Sequence, residues 1–403
     1  ALKGDEETFE APVGRWNDLY YLQRNWVVEQ QIVSNFKRLN TTAPYHLPLE
    51  RGTLNALQFK GLFAAFNHTL SCLCGGPGTG KSFVISEIAR QWTKSMCVIA
   101  PTGKAAALFR DKLDCVVGTI HQILKINDSK DLFFGGIPLD FDMVIVDECS
   151  MIDAALFAAL LRNIKTGTRL VLVGDENQLP PVEIGNVFEE LCQYIEETQK
   201  AYTRLEQCMR CDKKEILDMA QMVKNGYPIP FEALEYNIKD WRQRFDKGGF
   251  RLLSCVRKGP FGVENINELM WNGKKIPIIL TRTSKTLQLS NGETGFLVKE
   301  QEGRRVEKED FAIFSEKKIM ASLLPDYEPA YCISVHKSQG SEDKDLCIFL
   351  PPGSEVFGKE ILYTAITRAK ESFSLFTTEE TLEKCLKLTS KKCSGIYRKL
   401  CEY

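Results

Sequence analysis

Short apolar runs alternate along the chain with longer stretches in which apolar residues recur every three or four positions, the rhythm of an α/β protein with buried parallel strands. The run Ser71-Cys72-Leu73-Cys74 leads through Gly75-Gly76-Pro77-Gly78-Thr79-Gly80-Lys81-Ser82 into a helix starting near Phe83. Met96-Cys97-Val98-Ile99, Met143-Val144-Ile145-Val146 and Arg169-Leu170-Val171-Leu172-Val173 predict further buried strands, and residues 54–66 read as a helix. The second half repeats the alternation, with strands expected over 277–281, 331–335, 346–350 and 372–376 and a helix over 360–370. Ahead of the first strand, Leu19, Leu22, Trp26, Ile32 and Phe36 predict an amphipathic helix over 16–39, followed by a Pro-containing loop. Two segments break the alternation. Residues 125–140, with Phe133-Phe134-Gly135-Gly136, predict a short β-hairpin with aromatic residues at its tip, and 291–329 a small β insertion.

The glycine-rich turn carries the first chemistry. Gly75, Gly78 and Gly80 permit backbone conformations that a side chain forbids, so successive N–H groups of the loop Gly76-Pro77-Gly78-Thr79-Gly80, all but that of Pro77, which has none, can converge on phosphate oxygens at a helix N-terminus. Lys81 then supplies a positive charge to the β and γ phosphates and Ser82 a hydroxyl ligand for Mg²⁺. The strand ending in Asp147-Glu148 brings two carboxylates to the same edge, because ligands of open α/β sheets bind at the carboxyl ends of strands. Asp147 is expected to hold Mg²⁺ and Glu148 to polarise the attacking water. Gln178 is placed to contact the terminal phosphate, and the turn at Pro180-Pro181 to face nucleic acid. Pro101-Thr102-Gly103 opening one helix, and Thr119 with His121 in a second polar turn, suit nucleic-acid phosphates. Gln58 carries the donor–acceptor pair that matches an adenine edge; a solvated helix glutamine is the other reading. Arg210 and Arg368 are candidates for arginines brought to the γ-phosphate, or surface charges taken singly.

Length allows about two or three domains. Lys and Arg total 52 against 53 Asp and Glu, a net charge of −1, so any nucleic-acid site is a local groove and not a basic surface. No long apolar run or leader-like segment appears, which predicts a cytoplasmic protein. The 14 cysteines are scattered, several within apolar strands, and are read as reduced thiols acting as small hydrophobes. Cys208-Met-Arg-Cys211 is a C-x-x-C without a second pair or a nearby histidine.

Taken together, Gly75–Ser82, Ala100–Ala106, Asp147–Ser150, Gly174–Gly185, Val335-His336-Lys337-Ser338-Gln339-Gly340-Ser341-Glu342 and Tyr363–Lys370 resemble the superfamily 1 helicases, and within them the RecD-like branch that includes the alpha subunit of exodeoxyribonuclease V. Arg257–Glu264 and Asn291–Gly295 also look like RecD, and the resemblance runs from Tyr20 to about Phe376. It implies an α/β fold of two tandem RecA-like P-loop domains. They are expected at 51–202, with a strand-separating pin near 125–140, and at 203–403, with an SH3-like insertion near 291–329; residues 1–50 would be a helical arm or the remnant of a preceding domain. It also implies ATP and Mg²⁺ as cofactors, 5′–3′ movement on single-stranded DNA in recombinational repair, and RecB- and RecC-like subunits as partners. By resemblance, Gln58 reads adenine, Gln178 senses the γ-phosphate, Arg210 and Arg368 are paired arginines, and His336, Lys337, Ser338 and Gly340 grip DNA and couple it to the nucleotide. Cys149 stands where the family usually has alanine, and Asn177 where it commonly has aspartate. Other readings are a nucleotide-binding subunit of an exodeoxyribonuclease V type complex that does not unwind alone, and an RNA helicase of the same superfamily.

Overall fold

In the computed structural model, the described residues are 13–41, 48–127, 129–181, 183, 185–198, 201–207, 214–271, 273–282, 284, 286–287, 289, 291–300, 306–307, 309–314, 317–390 and 394–402. They form two compact units: one holds those of Ala1–Glu176, Pro180–Met209 and Lys391–Tyr403, the other those of Asn177–Leu179 and Arg210–Ser390.

The first unit is built on a six-stranded parallel sheet ordered Val116–Thr119, Met96–Ala100, Met143–Val146, Arg169–Gly174, Leu70–Gly75 and Tyr202–Leu205. Alternate residues serve two cores, as the two-residue period of a strand dictates. Cys72, Cys74, Cys97, Ile99, Val144, Leu170 and Leu172 face one core with Cys149 and Cys192, while Leu73, Val98, Ile145, Val171 and Val173 face the other. The buried cysteines therefore pack as small apolar groups, as their strand context suggests.

The second unit holds a four-stranded parallel sheet, Cys332–Ser334, Phe250–Ser254, Asp343–Leu350 and Ala369–Thr377 in spatial order. A five-stranded antiparallel sheet accompanies it, running Lys317–Met320, Phe311–Phe314, Thr294–Val298, Lys275–Leu280 and Tyr327–Pro329. Four of its strands come from the segment 291–329, and they flank Lys275–Leu280 on both sides.

Three expectations are corrected. The amphipathic stretch does not begin as helix: Val13–Trp16 pairs with Leu19–Leu22 in a hairpin that turns at Asn17, whose φ is 52°, and the helix spans only Gln23–Leu39. Nor is it a detached arm, since Val28, Ile32, Val33, Phe36 and Leu39 lie in the first unit's core beside the helix Ala154–Asn163. Secondly, the segment read as a β-hairpin pin contains a short helix, Ser129–Phe134. Its last carbonyls are taken by a distant side chain: Arg162 donates to Phe133 O at 2.8 Å, Gly135 O at 2.9 Å and Leu132 O at 3.3 Å. Thirdly, the domain limits shift. A boundary at 202 would cut the strand Tyr202–Leu205, and the C-terminal helix Ile396–Glu402 returns to the first unit against Val187–Thr198 and Gln23–Leu39.

That return is fixed by a buried ion pair. Lys399 Nζ lies 2.7 Å from Glu29 Oε2, both side chains out of solvent, and 3.8 Å and 4.4 Å from the ring centres of Trp26 and Tyr21. Glu29 also accepts from Gly395 N at 3.2 Å.

Candidate nucleotide and nucleic-acid sites

In the first unit, the strand Leu70–Gly75 ends in a loop that closes on the helix Lys81–Gln91. Gly78 and Gly80 take φ of 76° and 92°, the left-handed region where glycine is favoured, and a Cβ at Gly75 would sit 2.6 Å from Thr79 Oγ1. Lys81 Nζ curls back onto its own loop, donating to Gly75 O at 2.6 Å and Gly76 O at 3.1 Å, and Thr79 Oγ1 donates to Gly76 O at 2.8 Å. Ser82 is exposed at the start of the helix. Gln58 is buried at the N-terminus of Ala56–Asn67, where its Oε1 accepts from Asn55 N at 3.1 Å and its Nε2 donates to Thr79 O at 3.3 Å. It is therefore packed against the glycine loop and is not a solvated helix glutamine.

Asp147 and Glu148 follow the strand Met143–Val146 at the same sheet edge. Asp147 is buried and Glu148 half-buried, with φ 54°. A left-handed non-glycine residue is uncommon and concentrates at functional sites. Burial, and next the neighbouring Glu148 charge, push the Asp147 carboxyl up to about 7, while the Lys81 charge pulls it down. A carboxyl raised in the folded state contributes stability that is fully present below its unfolded value near 3.8 and is lost as pH rises through about 7. At about 1.4 kcal/mol per pH unit this amounts to a few kcal/mol at most. Asp147→Asn is accordingly expected to raise the urea midpoint of the nucleotide-free, metal-free protein at pH 8 and to leave it nearly unchanged at pH 4. An equal or lower midpoint at pH 8 would contradict the assignment of a strained, desolvated carboxylate.

Towards the far edge of the sheet, the candidate hydroxyls already serve as helix caps. Thr102 Oγ1 accepts from Ala105 N at 3.2 Å, and Thr119 Oγ1 from Gln122 N at 3.2 Å. Ala100 and Thr119 are register partners, so both caps occupy one sheet edge. Pro101 and Gly103 are half-buried and His121 is exposed, whereas Pro180 and Pro181 are buried.

The second unit gathers a separate set. Gln178 is buried in the short segment Asn177–Leu179, which belongs with this unit: Leu179 N donates to Thr364 Oγ1 at 2.7 Å, and Gln339 Nε2 donates to Leu179 O at 3.0 Å. The same Thr364 accepts through its carbonyl from Arg368 Nε at 3.3 Å. Thr364 and Gln339 thus tie the Gln178 segment to the Arg368 helix end. Neither residue carries a signal of its own in the sequence, although both lie inside the motifs Val335–Glu342 and Tyr363–Lys370. Arg368 is itself buried. In the tract from His336 to Gly340, Ser338 is buried with its hydroxyl spent on Val335 O at 2.7 Å, which removes it from direct contact with a nucleic acid. Lys337 is exposed and pairs with Glu328 at 2.7 Å, His336 is half-buried against Phe357, and Gly340 takes φ 71°. Arg210 lies outside the described residues, as do Cys208 and Cys211.

Residues 53–241 match the model of the AAA domain family and residues 329–375 that of the UvrD-like helicase C-terminal domain. Over 97% of its length the chain is 27% identical to the RecBCD enzyme subunit RecD of Mycolicibacterium smegmatis, covering 84% of that protein. It is likewise 27% identical over 88% of its length to the ATP-dependent RecD2 DNA helicase of Deinococcus radiodurans, of which it covers 54%. Bacteroides Pif1 bound to ssDNA superimposes with a TM-score of 0.53 at 15% identity, over 81% of this chain and 93% of that one. This likeness agrees with the α/β architecture of two RecA-like units.

Proposed function

We propose that this chain, a member of the RecD-like branch of the superfamily 1 helicases, couples ATP hydrolysis to 5′–3′ movement along single-stranded DNA in recombinational repair. It is an ATP-hydrolysing DNA helicase by its relatives. The observation that carries the reading is the meeting of Lys81, Asp147 and Glu148 at the carboxyl ends of one parallel sheet, where the Lys81 charge acts on the Asp147 carboxyl.

The donor set suits a magnesium ion: the Ser82 hydroxyl and the Asp147 carboxylate are hard oxygen ligands. A Mg²⁺ ion held by Ser82 and Asp147 would neutralise phosphate charge and polarise the phosphoryl group under attack. Lys81 exchanges the carbonyls of Gly75 and Gly76 for phosphate oxygens, and the loop N–H groups of Gly76, Gly78, Thr79 and Gly80 hold the rest. Glu148 orients the attacking water and takes up its proton. Gln58, held against Thr79, reads adenine. Gln178 senses the γ-phosphate, while Arg368, with Arg210, stabilises the charge of the transition state. Pro101, Thr102, Gly103, Thr119, His121, Pro180, Pro181, His336 and Lys337 line the path of the strand or shape it, and Ser338 supports that path from the core. Gly340 lets the tract turn towards the nucleotide. RecB- and RecC-like subunits are the partners this reading implies, and the cytoplasm its place; among the described residues no helix is long and apolar enough to cross a membrane.

Strand displacement on duplexes with a 5′ or a 3′ single-stranded overhang, with and without ATP, tests activity, polarity and energy coupling together. ATP-dependent displacement from the 5′ overhang only is expected. Displacement from the 3′ overhang only would reverse the polarity, and ATPase stimulated by DNA without displacement would favour a subunit that does not unwind alone. Stronger stimulation by RNA than by DNA of the same sequence would favour an RNA substrate, since RNA is told from DNA through its 2′-OH.

A further inference from the structure

Directly beneath the glycine loop, three elements of the first unit bring together a donor set that the nucleotide chemistry leaves unused. Cys74 is the last residue before Gly75, Cys192 lies on the helix Val187–Thr198, and Glu176 follows the strand Arg169–Gly174. One ligand atom from each falls within 4.8 Å of the others, and the sulfurs of Cys74 and Cys192 are 3.3 Å apart.

We propose that Cys74, Cys192 and Glu176 form a site for one thiophilic divalent cation, of the zinc or cadmium type. Two sulfurs and a carboxylate at this spacing match the mixed sulfur–oxygen ligand sets of tetrahedral zinc. Burial pushes both thiols up, so they stay protonated and are poor nucleophiles towards oxidants. A cation that binds sulfur removes that obstacle, because coordination deprotonates the thiols outright and releases two protons to solvent. The supporting residues are already present. Tyr202 Oη donates to Glu176 Oε2 at 3.0 Å, and Arg204 forms an ion pair with Glu176 Oε1. With two thiolates, one carboxylate, a divalent cation and the Arg204 guanidinium, the formal charges of the filled site cancel, which lowers the cost of burying them. The carboxylate that holds Arg204 also turns one oxygen towards Tyr202, so its orientation is fixed before a cation arrives. An occupied site would join the end of the loop strand to the helix Val187–Thr198. It depends on none of the motor chemistry.

The full chain, fully reduced and carrying Cys208→Ser and Cys211→Ser to remove the separate C-x-x-C, is titrated with Cd²⁺. Ultraviolet thiolate-to-cadmium charge-transfer absorption is the readout, with Zn²⁺ as competitor. A single Cd²⁺ per chain is expected. Cys74→Ser and Cys192→Ser should each weaken it by at least the roughly 10–100-fold lost when a mere supporting residue of a metal site is removed. Glu176→Gln should weaken it less, and Cys401→Ser, on the exposed C-terminal helix, should leave it unchanged. Absence of the charge-transfer band, or a band that survives Cys192→Ser in a protein with unchanged circular dichroism, overturns the proposal. Should the serine variants lose their fold, cadmium NMR of the protein with native Cys74 and Cys192 decides: a shift typical of two sulfur ligands supports the site, and one typical of any other number, or of oxygen ligands alone, overturns it.

Discussion

Replacing Lys81 by alanine is expected to lower DNA-stimulated ATP turnover by about 100- to 1,000-fold or more, the loss seen when one preorganised group that stabilises developing charge is removed. The effect is chemical and not structural. In the nucleotide-free protein the half-buried ammonium group donates to carbonyls of its own loop, Gly75 O and Gly76 O, and the buried Asp147 carboxyl on which its charge acts is pushed further up when that charge is removed, so it takes a proton and leaves no bare carboxylate in the core. The thermal midpoint without nucleotide should therefore change little, while the stabilisation that ATP confers on the wild type should disappear. Turnover within a few-fold of wild type would remove Lys81 from the catalytic set; a large loss of stability without nucleotide would mean that its role is to hold the loop.

Lys399→Met should have the largest effect on stability. The ammonium group is fully buried between Glu29 and the rings of Trp16, Tyr21 and Trp26, and burial lowers its pKa while Glu29 opposes that shift. Removing it leaves the Glu29 carboxylate in the core without its counter-charge, the Gly395 N–H still donating to it, a situation that costs about 3–5 kcal/mol when one partner of a buried pair is deleted. Urea unfolding followed by tryptophan fluorescence, in a background where Trp241 and Trp271 of the second unit are replaced by Phe, reads the unit in which the pair lies. The double variant Glu29→Leu, Lys399→Met should recover much of the loss, because two apolar side chains of similar volume need no partner. A single variant that loses less than about 1 kcal/mol would show that the pair is not what holds the C-terminal helix.

The candidate site residues are legible because their signals are local. A glycine loop needs its glycines in a fixed order, and a strand that ends in Asp147-Glu148 declares its own edge. What escaped was decided by distant contacts. The apolar positions Leu19, Leu22 and Trp26 keep a helical phase, so nothing in the spacing marked the hairpin that precedes Gln23 except Asn17, which tolerates a left-handed turn. Phe133-Phe134-Gly135-Gly136 has the composition of a hairpin tip, yet Arg162, almost thirty residues on, occupies the carbonyls that make it a helix end. The Gln178 segment follows a strand of the first unit in sequence but is hydrogen-bonded to Thr364 and Gln339, beyond the reach of any local pattern. Cys74 and Cys192 are separated by more than a hundred positions, and each alone reads as a small apolar residue in a core.

The homing of the C-terminal helix onto the first unit bears on how the protein is made. The second unit is synthesised in between, and at about 5–20 residues per second the ribosome needs roughly 10–40 s to pass from residue 209 to residue 403. Through that interval the nascent first unit carries an uncovered apolar face beside Phe36, Leu191 and Ile195, and Glu29 waits without its lysine. Chaperone occupancy on translating ribosomes should accordingly persist until the last helix emerges, and a ribosome stalled anywhere inside the second unit should hold a first unit that proteases still cut.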